Sequence, residues 1–306
     1  MRALVVTPAA PGHIAVRDVS SPLRQRDEVL VDVHAVSVNP AELERLDSAP
    51  DGWRPGWDFA GVVADGSCDR PEVGTRIVGV ARESSWAERV VAPCTWVAEL
   101  PDSMSFAHAA ALPIVGLTAL RALRIGGLLL GRRVLITAAS GSVGRLAVQL
   151  AHLAGADVTA MVRSKARALG LTELGADTIC ADSDDLCGRF DLILESIGGE
   201  SLARLATMVE PDGTLVMFAN LSKQPTTLQD IRDVYVGSSV RLQSLSIRRT
   251  FAADPPTRDL SYLVKLVADG HLNLHVAREM PWENIPTALA HLGDRAMPGK
   301  LVLSVR

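Results

Sequence analysis

A turn of small residues follows a short apolar segment near the middle of the chain. Residues 134–136 are apolar, and Ala139, Gly141 and Gly144 come after them with the spacing of a dinucleotide-binding loop. This spacing permits a tight turn, a close approach of the backbone to a diphosphate, and close packing of a helix on a strand. Free amides at the start of a helix also attract anions. We therefore predict that the whole loop contacts a dinucleotide, through Ala139, Ser140, Gly141, Ser142, Val143 and Gly144.

The segments after this turn favour that function over a purely structural one, in which small residues only let a helix pack on a strand. Ala147, Leu150, Ala151 and Leu153 lie on one face of a predicted helix. Residues 157–162 form a second apolar strand of the kind found in parallel sheets. The order of strand, loop, helix and strand predicts a nucleotide-binding βαβ unit.

The end of the second strand indicates which dinucleotide binds. Sites for NAD carry Asp or Glu there, about 20 residues beyond the glycines. This chain instead has Arg163, Ser164, Lys165 and Arg167, and no carboxylate occurs between positions 157 and 173. Three cations and a hydroxyl suit a 2′-phosphate, which Arg can bind in a bidentate fork. We predict NADPH as the cofactor; the alternative is a solvated basic start to an ordinary helix.

The composition of the chain limits the function classes. Its 306 residues suffice for two domains, and 48% of them are hydrophobic. The net charge is −4, like charges form no run and few residues are aromatic, which argues against a nucleic-acid partner. The first apolar run is too short for a signal peptide, and no segment approaches the roughly 20 apolar residues of a membrane span. We expect a soluble, cytoplasmic protein with no membrane partner.

Cysteines and histidines form no metal-binding motif in the sequence. The cysteines, at positions 68, 94, 180 and 187, include no Cys-x-x-Cys pair, so a structural zinc lobe is not expected. Reduced, unligated thiols are expected in a cytosolic protein. The seven histidines do not pair into a metal motif either. We predict no metal site.

Short apolar or alternating segments, separated by Gly, Pro and Asp, fill the first hundred residues and predict a barrel-like β domain. The predicted strands are 4–6, 14–16, 29–36, 61–64, 76–80 and 86–91. Helical spacing follows, with helices predicted over 106–112 and 117–123 and with Pro113 and Gly116 between them.

Strands and helices alternate beyond the nucleotide loop. Further strands are predicted at 178–181, 192–195, 214–219 and 240–247, and helices at 165–174 and 201–209. About six parallel strands result, the count expected for two mononucleotide-binding halves. Two amphipathic helices, at 259–269 and 283–292, precede a closing strand at 300–305.

Several ordered segments resemble the medium-chain dehydrogenase/reductase superfamily, and within it the zinc-independent quinone oxidoreductase-like branch. Besides the nucleotide loop, they are Val-Ser-Val-Asn-Pro from position 36, Pro-Gly-Trp-Asp-Phe-Ala-Gly-Val from 55, Leu-Pro-Ile-Val-Gly-Leu-Thr-Ala from 112, Leu-Gly-Ala-Asp from 174, and Met-Pro-Gly-Lys-Leu-Val-Leu from 297. The resemblance implies an α/β fold in which a Rossmann domain, a doubly wound parallel sheet, is inserted into a GroES-like β-barrel catalytic domain built from both termini. The implied boundaries are 1–112 and 249–306 for the catalytic domain and 113–248 for the NADP-binding domain.

The resemblance also implies a catalytic site without zinc. Zinc-dependent relatives hold the metal through Cys, His and a third thiolate or carboxylate. At the matching positions this chain has Asn39, Trp57 and Ile114. Asn39 is implied to donate to a substrate oxygen or to position the nicotinamide, whereas turn preference alone makes it a turn residue before Pro40. Asp58 is expected to lie behind the site as a structural acid.

Other site residues are carried over from the same resemblance. Thr118 is expected to border the nicotinamide, or alternatively to bond within its own helix. Arg295 is expected to reach the adenosine phosphate, with a simple surface cation as the alternative. Ala219 and Asn220, at the end of a predicted strand, are assigned to cofactor binding.

Two positions depart from the pattern of the relatives. Asp182 stands where relatives often have a tyrosine near the cofactor phosphate. The only tyrosines, Tyr235 and Tyr262, do not match the substrate-cleft tyrosines of several quinone reductases. Because no obvious proton donor remains, the proton is expected to come from water.

The resemblance implies hydride transfer from NADPH to a small-molecule acceptor, a quinone or the β-carbon of an α,β-unsaturated carbonyl. Such chemistry depends on placement and on a donor for developing negative charge. The alternatives are a dedicated biosynthetic enoyl or ketone reductase, and an NADPH-binding sensor that lost catalysis. The apolar strand 240–247 would leave an open sheet edge, which predicts a homodimer.

Overall fold

The computed structural model describes residues 1–66, 69, 71–181, 185–228, 239–286, 289 and 299–305. The chain forms two compact units. The first combines both ends of the chain, Met1–Leu117 and Phe251–Arg306, and the second is the middle segment, Thr118–Thr250. An α/β unit is thus inserted in the sequence of a β-rich unit, which confirms the predicted fold class.

Strands and short helices alternate along the described residues. The strands are β1 (Arg2–Val6), β2 (Ile14–Asp18), β3 (Glu28–Ser37), β4 (Asp58–Gly66), β5 (Arg76–Val80), β6 (Arg89–Pro93), β7 (Val97–Glu99), β8 (Arg133–Ile136), β9 (Asp157–Met161), β10 (Thr178–Cys180), β11 (Phe190–Glu195), β12 (Val209–Met217), β13 (Arg241–Ser244), β14 (Val276–Pro281) and β15 (Lys300–Ser304). The α-helices are α1 (Pro40–Leu46), α2 (Phe106–Ala110), α3 (Pro113–Ile125), α4 (Ser142–Leu153), α5 (Gly199–Leu205), α6 (Ile247–Thr250) and α7 (Thr257–Ala268).

In the first unit, β3 is the central strand of a seven-stranded sheet. The sheet has the order β14-β15-β3-β4-β5-β7, and β6 also pairs with β3. Val29, Val31 and Val33 of β3 are fully buried, because alternate side chains of a strand point to the same face. The pairing of β15 with β3 brings the C-terminal end of the chain into the sheet of the N-terminal segment.

The second unit contains the predicted parallel sheet. Its six strands have the order β10-β9-β8-β11-β12-β13, and every pair in it is parallel. Val134, Leu135 and Ile136 of β8 have no exposed surface, as expected for a central strand covered on both faces. This confirms the expected count of about six strands.

The helix predicted over 165–174 is wrong. Only Lys165–Arg167 forms a 3-10 helix, and turns follow it. Gly170 and Gly175 have φ angles of 77° and 102°, in the left-handed region. Such residues interrupt a right-handed helix, and glycine adopts these angles without strain. The basic residues of this segment therefore lie on a turn, not on a regular helix.

Pro113 and Gly116 do not separate two helices as predicted, since both lie within α3. Pro113 is the first helical residue, where a missing N–H costs nothing. A Cβ on Gly116 would lie 2.9 Å from Leu112 Cδ1 and 3.1 Å from Leu263 Cδ1, so the glycine is needed for close packing.

Several other boundaries differ from the prediction. The strand expected at 86–91 begins only at Arg89, and the last parallel strand ends at Ser244, before α6. The segment expected to form a helix over 283–292 begins with a 3-10 helix, Trp282–Asn284, and most of its remainder lies outside the described residues. The sequence prediction did not include α1, β7, α6 or β14.

The cysteines are not all reduced as expected. Cys94 is disulfide-bonded, whereas Cys180 and Cys187 are free thiols. The prediction rested on the lack of closely spaced pairs, and such spacing says nothing about cysteines that the fold brings together from a distance. Among the helices that the structure describes, none combines the length and apolar character needed to cross a bilayer.

Candidate functional site

Loops that follow neighbouring strands meet at one edge of the parallel sheet in the second unit. β8 lies between β9 and β11, and the chain order reverses there. Doubly wound sheets bind ligands at this position, outside the carboxyl ends of the strands. Apart from Arg295, which lies outside the described residues, the predicted cofactor residues follow β8, β9 and β12, so the fold brings them to the same edge.

The turn after β8 needs its small residues. A Cβ on Gly144 would lie 2.6 Å from the carbonyl oxygen of Ala138 and 2.6 Å from Ala139 Cα. A Cβ on Gly141 would meet only the Ala138 oxygen, at 3.2 Å. Gly144 therefore lets α4 pack on the turn, while the space in front of Gly141 is open. This is the division of roles that a diphosphate-binding turn requires.

Helix α4 supplies positive charge to the same turn. It begins at Ser142 directly after its N-cap, Gly141, and it continues for 12 residues. The first amides of an α-helix have no acceptor within the helix, and the helix dipole makes this end positive. The turn and the helix together can hold a diphosphate.

Two buried hydroxyls join the ends of β8 and β11 where the chain order reverses. Thr137 Oγ1 accepts a hydrogen bond from the Ser196 amide at 2.9 Å, and the Thr137 amide donates to the Leu194 carbonyl at 3.0 Å. The two hydroxyl oxygens lie 3.3 Å apart. These contacts fix the spacing of the two loops that flank the edge.

A buried carboxylate organises the loop after β11. Glu195 accepts hydrogen bonds from the Ile197 amide at 2.8 Å and from the Gly198 amide at 3.0 Å. Burial raises the pKa of Glu195, whereas these amide bonds oppose that change. A Cβ on Gly198 would lie 2.2 Å from Asn220 Oδ1, so the glycine makes room for the loop after β12. Sequence reasoning did not identify Glu195, although a carboxylate before two glycines at a strand end is a visible signal.

The basic residues predicted to bind the 2′-phosphate follow β9. Arg163, Ser164 and Lys165 are exposed, and Arg167 is partly buried. The Arg167 amide donates to the Ser164 carbonyl at 2.9 Å, so the segment is a closed turn. Three cations on one turn beside the nucleotide loop form a positive surface that suits a phosphate dianion.

In the first unit, the Asp58 carboxylate joins four segments of the chain. Its Oδ2 accepts from Ser37 Oγ at 2.7 Å and from Asn39 Nδ2 at 2.9 Å, and the ammonium of Lys300 lies 3.4 Å away. Its Oδ1 accepts from the Ile114 amide at 3.0 Å. Asp58 thereby fixes the end of β3, the start of α1, the start of α3 and the start of β15, consistent with its expected structural role.

A second carboxylate, Glu42, lies in the same buried cluster. Its Oε2 accepts from the Asn39 amide at 2.7 Å and from Asn39 Nδ2 at 3.2 Å. Its Oε1 is buried and has no hydrogen-bond partner among the described residues. Burial, together with repulsion from Asp58, raises the pKa of Glu42 to about 8. Glu42 therefore carries its proton at neutral pH, which limits the negative charge of the cluster.

The amide of Asn39 is fully engaged in this cluster. Its Nδ2 donates to both Asp58 and Glu42, and its Oδ1 accepts from Lys300 Nζ at 2.5 Å. Asn39 is only 3% exposed and also precedes the first residue of α1. In this conformation the side chain keeps no amide hydrogen for a substrate. Sequence reasoning missed Glu42 and Lys300, although Asn followed three residues later by Glu is a helix-start signal.

The positions at which zinc-dependent relatives carry ligands do not suit zinc here. Ile114 has no side-chain donor atom, Trp57 offers only an indole, and the Asn39 oxygen already binds an ammonium group. Among the described residues, no group of three or more His, Cys, Asp or Glu is placed to hold a metal ion.

The structure describes three of the remaining predicted site residues. Thr118 lies on α3 and is 6% exposed. Ala219 and Asn220 are exposed in the loop after β12, where Asn220 Oδ1 accepts from the Lys223 amide at 3.0 Å. Arg295, Asp182 and Tyr235 lie outside the described residues.

Two family models match the chain. The model described as an alcohol dehydrogenase GroES-like domain matches residues 25–102. The model described as a zinc-binding dehydrogenase matches residues 170–303. Together they cover about two thirds of the chain and fall in both of the compact units.

Curated relatives resemble the chain at moderate identity. It is 33% identical to erythronolide synthase EryA2 of Saccharopolyspora erythraea, over 94% of this chain and 8% of that protein. It is 31% identical to 2-methylene-furan-3-one reductase of Solanum lycopersicum, over 70% of this chain and 59% of that protein. The chain thus spans less than two thirds of the length of either relative.

Solved structures share the fold along the whole chain. The quinone oxidoreductase of Coxiella burnetii has a TM-score of 0.86 and 26% identity, with 100% of this chain and 99% of that chain covered. The Escherichia coli quinone oxidoreductase complexed with NADPH has a TM-score of 0.86 and 20% identity, with 99% of this chain and 100% of that chain covered. At that identity, the second similarity concerns the fold alone.

Proposed function

Since the chain belongs to the medium-chain dehydrogenase/reductase superfamily, in its quinone oxidoreductase-like branch, we propose that it is an NADPH-dependent oxidoreductase that works without zinc. We propose a quinone or an α,β-unsaturated carbonyl as its hydride acceptor. The observation that carries this proposal is the basic turn after β9, which lies at the same sheet edge as the glycine turn and has no acidic residue.

The residues at this edge fit NADPH. Gly141 leaves open space in front of the turn, and the first amides of α4 are available to the diphosphate. Arg163, Lys165 and Arg167 supply the positive charge that the 2′-phosphate of NADPH needs and that NADH does not. Arg295, Ala219 and Asn220 remain proposed contacts.

Two observations support a quinone or an enone as the hydride acceptor: the names of two similar proteins and the reactivity of these compounds. One relative is named as a reductase of a methylene-furanone, an enone, and one solved structure is a quinone oxidoreductase. Both acceptor classes take hydride at an electron-poor carbon or oxygen without needing a metal. The side chains at the three ligand positions support a mechanism without zinc, since none is a suitable ligand.

When bound, NADPH would supply the hydride. The protein would contribute placement. Asp58 bonds to the Ile114 amide and so fixes the start of α3, the helix that carries Thr118. Because both amide hydrogens of Asn39 are donated to carboxylates, we assign Asn39 a positioning role in place of the donor role first expected. Thr118 keeps its proposed place beside the nicotinamide, and the proton comes from water.

The function is tested by following NADPH oxidation with phenanthrenequinone and with a simple enone, in the presence and absence of a chelator. We expect steady turnover that the chelator does not change, and a lower KM for NADPH than for NADH. Binding of NADPH without turnover of any acceptor would instead indicate a sensor. A preference for NADH would contradict the proposed role of the basic turn.

A second candidate function is a dedicated biosynthetic enoyl or ketone reductase. It is favoured by the 33% identity to erythronolide synthase EryA2 over 94% of this chain. Such an enzyme would act efficiently on one carrier-bound or polar substrate, whereas a general reductase accepts many flat acceptors. A comparison of kcat/KM for a thioester-linked enone and for simple quinones separates the two.

A further inference from the structure

Arg145 is the fourth residue of α4, directly after the nucleotide turn. Its backbone amide donates to the Gly141 carbonyl at 2.9 Å, which fixes it relative to the N-cap of the helix. Its side chain extends toward the segment that follows the basic turn. There the guanidinium Nη1 donates to the Leu169 carbonyl at 3.1 Å.

The chain makes room for this guanidinium at Gly170. A Cβ on Gly170 would lie 3.0 Å from Arg145 Nη2, and Gly170 has a left-handed φ of 77°. A side chain at this position would meet both a strained backbone and the cation. The contact with Leu169 therefore ties α4 to the far end of the segment that begins with Arg163, Ser164 and Lys165.

Arg145 has no carboxylate partner in the part of the chain that the structure describes. Among the described residues, its buried Nε has no hydrogen-bond partner, and Nη1 is the guanidinium nitrogen that donates to an acceptor. Burial lowers the pKa of Arg145, and the charge of Glu173 opposes this change without forming an ion pair. A partly buried cation without a counter-ion is costly, and a bound anion would offset that cost.

We propose that Arg145 is a specificity-determining residue for the adenosine 2′-phosphate of the cofactor. Its hydrogen bond to Leu169 ties the residues that follow the basic turn to the phosphate-binding helix, and its charge would act together with those of Arg163 and Lys165 on a phosphate dianion. This inference rests on the proposed NADPH-dependent function, since NADH has no 2′-phosphate.

The test measures binding of two probes that differ only in that phosphate, 2′,5′-ADP and 5′-AMP, by calorimetry. The wild-type protein is expected to prefer 2′,5′-ADP. Arg145→Gln should reduce this preference roughly tenfold, the size expected for losing a charge-assisted contact. Arg145→Lys, which keeps the charge but not the fork, should retain an intermediate preference. The same ratio should appear in the KM values for NADPH and NADH.

Arg132→Gln is the matched control because it removes the same charge from the same unit. Arg132 pairs with Asp191 at the opposite end of β8, and its side chain is 58% exposed. It should leave the preference unchanged. If Arg145→Gln weakens both probes equally, Arg145 only stabilises the loop and the inference is wrong. If the wild-type protein itself shows no preference for 2′,5′-ADP, the proposed cofactor is wrong as well.

Discussion

In the buried cluster of Asn39, Glu42, Asp58 and Lys300, a proton on Glu42 balances the charges. Asp58 and Glu42 are both fully buried, and the ammonium of Lys300 donates to Asn39 Oδ1 and to Asp58 Oδ2. Two buried carboxylates beside one ammonium would carry a net negative charge in a medium of low polarity. Protonation of Glu42 removes this imbalance, so the pKa of its carboxyl is raised to about 8.

Replacing Glu42 should therefore change how stability depends on pH. In the unfolded chain the pKa of Glu42 is near its ordinary value of 4.5, and in the folded protein it is about 8. The folded state thus binds a proton that the unfolded state has lost, and wild-type stability falls as pH rises from about 4.5 to about 8. Glu42→Gln cannot lose this proton. In urea unfolding, the free energy of unfolding of the variant should rise relative to that of the wild type by a few kcal/mol between about pH 5 and about pH 9.

Glu44 provides the control for this experiment, because it lies on the same helix and is exposed. Glu44→Gln should follow the wild-type pH dependence. Parallel curves for wild type and Glu42→Gln would show that the carboxyl is already ionised at neutral pH, which would contradict the raised pKa.

The sequence identified some residues of this cluster as site residues but not the contacts among them. Asn39 and Asp58 were found because they lie in segments that resemble known relatives. Lys300 was quoted in such a segment, but its contact with Asn39 joins residues 261 positions apart. A pattern of local spacing cannot show such a contact, and it is this contact that occupies the amide of Asn39 and changes its assigned role.

In the strand-turn-helix element from β8 to α4, one glycine serves helix packing and another serves ligand binding. Gly144→Ala would place a methyl group 2.6 Å from two backbone atoms, which must then shift. We expect a loss of about 1–3 kcal/mol in the free energy of unfolding, together with loss of NADPH binding. Thermal unfolding and calorimetric titration with NADPH measure the two effects.

Gly141→Ala is the matched substitution in the same turn. Its φ of −77° suits alanine, and its Cβ would meet only one atom, at 3.2 Å. Stability should change by less than about 1 kcal/mol, whereas NADPH binding should weaken because the methyl group faces the diphosphate. Equal effects of the two substitutions on stability would show that the glycines do not divide these roles.

Elements with a strong apolar pattern were predicted well, and those defined by turns were not. β8 and β9 were found within a residue because each is a continuous apolar run between turn signals. The segment after β9 has a helical composition, yet left-handed glycines at 170 and 175 turn it into a series of turns. α1 and β14 were missed since their exposed, mixed sequences depend on tertiary contacts for their structure.

At the scale of the whole molecule, the order of the elements along the chain could be predicted because each unit repeats one pattern of elements. The short segments of alternating hydrophobicity predicted the β-rich unit, and the alternation of strands and helices predicted the parallel sheet. Joining both termini in one sheet, through β15 and β3, came only from resemblance. No periodicity shows that residues as far apart in the sequence as Ser37 and Val302 pair with each other in a sheet.

The assembly of two chains is the last prediction, and it rests on the edge of the parallel sheet. β13 pairs with β12 on one side, no other strand of the described residues pairs with it, and all four of its residues, 241–244, are exposed. An open edge with unpaired backbone groups favours pairing with another strand. We expect β13 of two copies to pair antiparallel across a two-fold axis, which closes both edges at once. Light scattering should then give twice the chain mass of 32.6 kDa.

Leu242→Lys tests whether β13 forms this contact. The substitution places like charges next to the two-fold axis, so the mass should fall toward that of one chain. Leu128→Lys is the control, since Leu128 is 79% exposed in the loop before β8 and does not belong to the edge. A wild-type protein with the mass of a single chain would contradict the predicted dimer. A dimer that survives Leu242→Lys and dissociates with Leu128→Lys would show that the interface does not involve β13.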